Sequence, residues 1–189
     1  MSSSASTGHT VDISNKPSPY SLANRMMRAT WGLVYILFFR ASPRPLHGWR
    51  RFLLRSFGAN LGRGAKVFSS AKVFAPWNLT MGEFSTIAPD VDCYCAGKVI
   101  IGSHTTISQY SYLCGASHDH RRSNIPLFTA PITIGSQVWV CADVFVGPGV
   151  SIGDGTVVGA RSSVFSNLPE WTVCTGSPAA PKRPRTIIE

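Results

Sequence analysis

From residue 132 to residue 165 an aliphatic side chain recurs at every sixth position: Ile134, Val140, Val146, Ile152, Val158 and Val164. Each is followed by Gly135, Cys141, Gly147, Gly153, Gly159 or Phe165, and two places before each stand Ile132, Val138, Val144, Val150, Thr156 and Ser162. The same spacing runs earlier through Leu61, Val67 and Val73, then Met81 and Ile87, then Ile101, Ile107 and Leu113. A period of six matches neither the helical period of about 3.6 nor simple strand alternation. It is the signature of a parallel β-helix, in which each unit supplies one short strand and one turn. Three units close a triangular coil, with the aliphatic pointing at the axis and a small or glycine neighbour easing the corner. No coil buries its aliphatics alone, so coils must stack. The sequence thus predicts an all-β solenoid over residues 58–179.

What precedes the repeat has a different character. Residues 1–20 are Ser-rich and polar and read as a mobile tail. Residues 21–57 read as helical, broken by the turn SPRP. In the second helical piece Trp49, Phe52, Leu53 and Phe57 alternate with Arg50, Arg51 and Arg55, the pattern of an amphipathic helix with a basic outer face. Such a helix can cap the open end of a solenoid or lie on a membrane surface. The apolar run WGLVYILFF is too short to span a bilayer, which takes about 20 residues. Ten Lys/Arg stand against one acid, Asp12, in residues 1–66, so the net charge of +9 is concentrated there. Residues 180–189 read as a basic tail. Five cysteines, Cys93, Cys95, Cys114, Cys141 and Cys174, form no CxxC pair and follow no secretion signal, which points to a reducing, cytoplasmic setting.

Between Leu113 and Ile134 the aliphatic spacing is 21, which is not a multiple of six. The chain must leave the wall at residues 114–131, and a loop leaving a rigid scaffold is a common place for chemistry. This loop carries His118, Asp119, His120, Arg121 and Arg122. A histidine titrates near working pH and suits a general base. Asp119, Asp90 and Asp92 are each candidates to orient it. The Asp92-Cys93-Tyr94 stretch breaks the hexapeptide pattern and is expected to form a loop beside an acceptor pocket.

The segment IGSQVWVCADVFVGPGVSIGDGTVVGARSSVFSNLPEWTVCTGSPAAPKR resembles the C-terminal half of hexapeptide-repeat acyltransferases. With PLHGWRRFLLRSFGA and SQYSYLCGASHD, the chain is similar to the colanic-acid and galactoside-type O-acetyltransferases over roughly residues 40–185. The resemblance implies a left-handed β-helix, a homotrimer with active sites between subunits, and acetyl-CoA as co-substrate with no metal. It implies that His118 is the catalytic base and that Trp139 walls the cleft. It places Ala142 at the thioester, Ala160 and Arg161 along the pantetheine arm, and Lys182 and Arg183 toward the coenzyme phosphates. Asp92 and Tyr94 are expected to meet the acceptor, a sugar or lipid-linked glycan of exopolysaccharide assembly, with peripheral contact at the inner membrane face. An amino-sugar or antibiotic acetyltransferase and a non-catalytic scaffold are the alternatives. A zinc-binding carbonic anhydrase of the same fold is disfavoured, because His118 and His120 stand too close together for its ligand spacing. No nucleic-acid motif is present.

Overall fold

The computed structural model describes residues 10–14 and 18–188. Three parallel sheets form the walls of a β-helix, here faces A, B and C in the order in which the chain visits them. On face A the inward residues are Leu61, Met81, Ile101, Ile134 and Ile152, each opposite the next along the ladder. Face B stacks Val67, Ile87, Ile107, Val140, Val158 and Cys174. Face C stacks Val73, Cys93, Leu113, Val146 and Val164. All are buried. The six-residue period is therefore one side of the triangular coil, and the columns are its core.

The glycines beside these aliphatics serve close approach between coils. A Cβ on Gly102 would lie 2.5 Å from the carbonyl carbon of Gly135, and one on Gly153 would lie 2.5 Å from the amide of Glu170. Left-handed backbone at the corners falls on Gly64, Gly149 and Gly155, with φ of 70°, 80° and 65°, and equally on Phe84, His104, Gln137 and Asp143, with φ of 54°, 57°, 59° and 59°. Glycine eases some corner torsions, but the glycines directly after the aliphatics are not the ones that do so. The expected loop at Asp92–Tyr94 is also corrected, because these residues form a strand of face C with Cys93 inward.

Length varies at one corner only. From face A to B and from B to C the inward residues are always six apart. From C to A the first three steps are Val73 to Met81, Cys93 to Ile101, and Leu113 to Ile134, and the next, Val146 to Ile152, returns to six. The first holds the 3-10 turn Pro76–Asn78, and Asn78 Nδ2 donates to the carbonyls of Cys95 and Ala96 in the next coil, each at 3.0 Å. The third throws out an antiparallel hairpin, Ala116–His118 against Leu127–Thr129. Its base sits on the preceding coil, where the Gly115 amide donates to Tyr94 O at 3.0 Å and a Cβ on Gly97 would meet Gly115 O at 2.9 Å.

The N-terminal helices seal the first coil. Helix α1 spans Leu22–Val34, capped by Ser21 Oγ accepting from the Asn24 amide, and runs into a π-helical turn at Tyr35–Arg40. Trp31 and Phe39 are buried, and Trp31 Nε1 donates to Val73 O at 2.7 Å. Helix α2, His47–Ser56, ends on Gly58 in the left-handed region (φ 88°), with the Ala59 amide closing back to Leu54 O. It buries Leu53 and Leu54, and Arg50, Arg51 and Arg55 donate to Val67 O, Ala65 O and Leu61 O of the first coil. The helix is a cap, but not with the predicted faces. Arg50 is wholly buried, while Trp49 and Phe52 are exposed.

Neither end is a free tail where it is described. The Asp12 amide donates to Ser123 O in the hairpin, and the Tyr20 ring lies 6.2 Å from that of Phe74; residues 1–9 and 15–17 of the expected mobile tail lie outside the described residues. Residues 179–184 form a strand antiparallel to Thr172–Gly176, at the end of face B. Arg185 then donates to Gln137 O and Gly155 O at 2.7 and 2.8 Å, pinning the end of the basic segment to the solenoid.

Candidate active site

His118 lies on the exposed hairpin edge at the corner between faces C and A. Its Nδ1 is 2.9 Å from the carbonyl oxygen of Ile125. A carbonyl can only accept, so Nδ1 carries a proton, and in the neutral ring Nε2 then keeps its lone pair. Ile125 holds a left-handed backbone (φ 44°), rare for a β-branched residue, with its amide on Arg122 O. The orienting group is thus a strained backbone carbonyl, not a carboxylate. Asp119 lines the same cavity as His118 but is engaged by arginines: it accepts from Arg121 Nε at 3.0 Å and pairs with Arg122 at 3.7 Å, contacts that hold its carboxyl below the usual range. Asp90 lies at the corner between faces B and C, its amide donating to Ser70 Oγ.

A second group gathers on face B and the adjoining B–C corner. Trp139 is half exposed on its strand, and its Nε1 donates to Ser108 Oγ at 3.0 Å, one coil back. Ala142 and Ala160 occupy stacked corner turns, with the Arg161 amide donating to Ala142 O at 3.0 Å. The Arg161 side chain pairs with Asp143 at 3.5 Å. Lys182 and Arg183 lie on the edge strand of face B, three strands along from Trp139. At one strand spacing per step this is roughly 14 Å, a span suited to an extended ligand. No pattern in the sequence singles out Ser108 or Arg185. Ser108 becomes visible only when the coils are aligned, since it occupies in its coil the place of Cys141 in the next.

Asp92 and Tyr94 open onto a cavity of about 600 Å³ between α1 and face C, with Arg25, Arg28, Tyr35 and Lys72 also in its wall. Burial raises the Asp92 carboxyl, opposed by Lys72 at 3.9 Å. Burial, and next the neighbouring Tyr20 hydroxyl, push the Tyr94 phenol up to about 12. The Tyr35 hydroxyl is buried with no hydrogen-bond partner among the described residues. Tyr94 stands directly opposite Cys114 at the root of the hairpin.

The predicted residues therefore fall into two sets on one chain. His118, Asp92 and Tyr94 belong to face C and the C–A corner. Trp139, Ala142, Ala160, Arg161, Lys182 and Arg183 belong to face B and the corner beyond it. In a triangular cross-section the C–A corner lies opposite face B, so one protomer does not bring them together. Among the described residues no group of His, Cys, Asp and Glu is placed to hold a metal ion.

The family pattern described as bacterial transferase hexapeptide (six repeats) matches residues 131–166. The chain is 46% identical over 173 residues, 92% of its length, to WcaF of Escherichia coli (strain K12), of which the match covers 95%; that protein's name assigns it, provisionally, to colanic acid biosynthesis as an acetyltransferase. It is 31% identical over 130 residues, 66% of each chain, to WbbJ of the same organism, provisionally named a lipopolysaccharide biosynthesis O-acetyl transferase. A hexapeptide-repeat acetyltransferase from Vibrio cholerae, solved with acetyl coenzyme A, superposes with a TM-score of 0.80 at 25% identity, over 88% of this chain and 91% of that one. The repeat columns, the hairpin and these likenesses agree: the chain belongs to the hexapeptide-repeat acetyltransferase family and is an acyltransferase.

Proposed function

We propose that the protein is an acetyl-CoA-dependent O-acetyltransferase that modifies a sugar hydroxyl in exopolysaccharide or related glycan assembly. The observation that carries this reading is the bond from His118 Nδ1 to Ile125 O, which leaves Nε2 as a base on the open side of the hairpin. A sugar hydroxyl ionises far above neutral pH, so it must lose its proton as it attacks. Nε2 takes that proton while the hydroxyl oxygen bonds to the acetyl carbonyl carbon. The carbon–sulfur bond then breaks, and the imidazolium returns the proton to the departing sulfur, leaving an acetyl ester and free coenzyme A. The backbone at Ala142 supplies the donor for the developing oxyanion, an interaction worth on the order of 3 kcal/mol. Trp139, Ala160 and Arg161 line the pantetheine arm, and Lys182 and Arg183 take the phosphates. No metal enters this scheme.

The acceptor is assigned to the cavity of Asp92 and Tyr94, whose unpartnered Tyr35 hydroxyl suits a polyol. The names of the two relatives, which refer to colanic acid and lipopolysaccharide, support a free or lipid-linked glycan. All five cysteines are free, which fits a reducing, cytoplasmic setting. The separation of His118 from the face B set supports a homotrimer in which the hairpin of one copy meets face B of the next. Face C offers the surface for it, an aromatic ladder of Phe74, Tyr94, Tyr112, Phe145 and Phe165 with successive centroids 4.6 to 6.4 Å apart.

The test is His118→Ala with acetyl-CoA and a panel of sugars. Turnover should fall by about 10²–10⁴-fold while coenzyme binding, followed by calorimetry, stays unchanged. A variant that keeps more than about a tenth of wild-type turnover would remove His118 from the role of base.

A further inference from the structure

Helix α1 and its π-helical continuation carry two apolar sides. Trp31, Tyr35 and Phe39 turn toward the solenoid, their rings within 6.1 Å of one another. Leu22, Met26, Leu33, Ile36 and Leu37 recur at helical spacing on the other side and are exposed, Leu33 at 60% and Ile36 at 63%. The patch extends onto α2, where Trp49 and Phe52 stack at 5.7 Å and Trp49 Nε1 donates to Phe38 O at 3.0 Å. A surface helix of a globular protein ordinarily presents one apolar stripe, and a contiguous second one marks an interaction surface.

Charge decides what covers it. Between residues 13 and 82 there is no Asp or Glu, while Arg40 and Arg44 are exposed at the junction of the two helices. A second copy meeting this face through its own would set arginine against arginine with no acid between them. A bilayer of anionic lipid offers acyl chains to the leucines, an interface to Trp49 and phosphates to the arginines. No described helix is long and apolar enough to cross a membrane. We infer that the outer face of α1 and the Trp49–Phe52 edge of α2 dock on the surface of an anionic membrane, lying in its headgroup layer.

Sedimentation with vesicles of phosphatidylcholine, with and without phosphatidylglycerol, tests this in the absence of any substrate. The protein is expected to bind only the anionic vesicles and to be released by salt. Arg40→Gln and Arg44→Gln should each weaken binding roughly fivefold. The triple change Ile36→Ser, Leu37→Ser, Phe52→Ser should abolish it while leaving acetyl transfer to a soluble sugar and the mass by light scattering unaltered. Wild-type protein that ignores anionic vesicles at low salt overturns the inference. So does a folded triple variant that binds as wild type, or one whose oligomeric mass drops, since a second copy would then be the cover. The two arginine variants alter exposed side chains and keep the question decidable if the triple variant does not fold.

Discussion

The five N–H groups of Arg50 meet Val67 O, Ser42 Oγ, Pro43 O, Arg44 O and His47 Nδ1 at 2.7 to 2.9 Å, all within a buried site that holds no carboxylate. The guanidinium is the fastener between the interhelical turn, α2 and the first coil. Arg50→Met keeps the volume but strips partners from two buried acceptors, Val67 O and Ser42 Oγ, and from three part-buried ones, at about 1–3 kcal/mol for each buried acceptor left unsatisfied. We expect a loss of about 2–4 kcal/mol by chemical denaturation, and Arg50→Lys should recover little of it, because an ammonium cannot reach a forked set of acceptors. A variant within about 0.5 kcal/mol of wild type would refute the fastener. The helical pattern of the sequence sends this arginine outward, since charge is buried only when partnered and its partners are backbone carbonyls, which no side-chain pattern displays. Ile125 was unreadable for the same reason. That His118 leaves the solenoid wall, by contrast, is legible, because the repeat stops around it.

His47 opens α2, and its Nδ1 accepts from Arg50. Burial first, then the Arg50 charge, lower its pKa from the ordinary 6.5. Acid therefore protonates the unfolded chain before the folded one. Stability linked to this histidine is complete above pH 6.5 and declines as pH falls through that value toward the lower folded pKa. His47→Asn keeps an acceptor without titrating, so its melting temperature should drop less than that of wild type between neutral pH and about pH 5.5. Equal drops would show that the contact does not govern the acid response. At this scale the chain was partly legible. The two helices and the break between them follow from apolar spacing and SPRP, and the loop from its broken period. That the loop is a paired hairpin, and that the Pro-rich basic end is a strand, rests on backbone ladders to which those side chains give no periodic signature.

The solenoid was the most legible feature, because six-residue columns of aliphatics are themselves the architecture. Within one chain, His118 at the C–A corner and the face B set lie on different sides of the solenoid. If the joint site forms between copies, a His118→Ala defect and a face B defect lie on opposite sides of different clefts. Mixing inactive His118→Ala with an inactive Lys182→Glu/Arg183→Glu variant, then unfolding and refolding them together, should restore part of the acetylation rate, since some clefts draw both intact sets. No recovery, with mixed assemblies verified by mass, would place the site within one protomer.

The single corner of variable length has its own consequence for how such a chain can be rewritten. Two of every three corners are locked to the six-residue step, so an insertion or deletion there would throw every later aliphatic off the axis. At the C–A corner the chain has already accepted a helical turn, a short detour and a hairpin without disturbing a column. The next such corner, between Val146 and Ile152, is the bare six-residue step, and Gly149 there faces Ala130 at the foot of the hairpin. Residues added at that point would grow out beside the hairpin that carries His118, so one edge of the molecule can be lengthened while its frame keeps its meter.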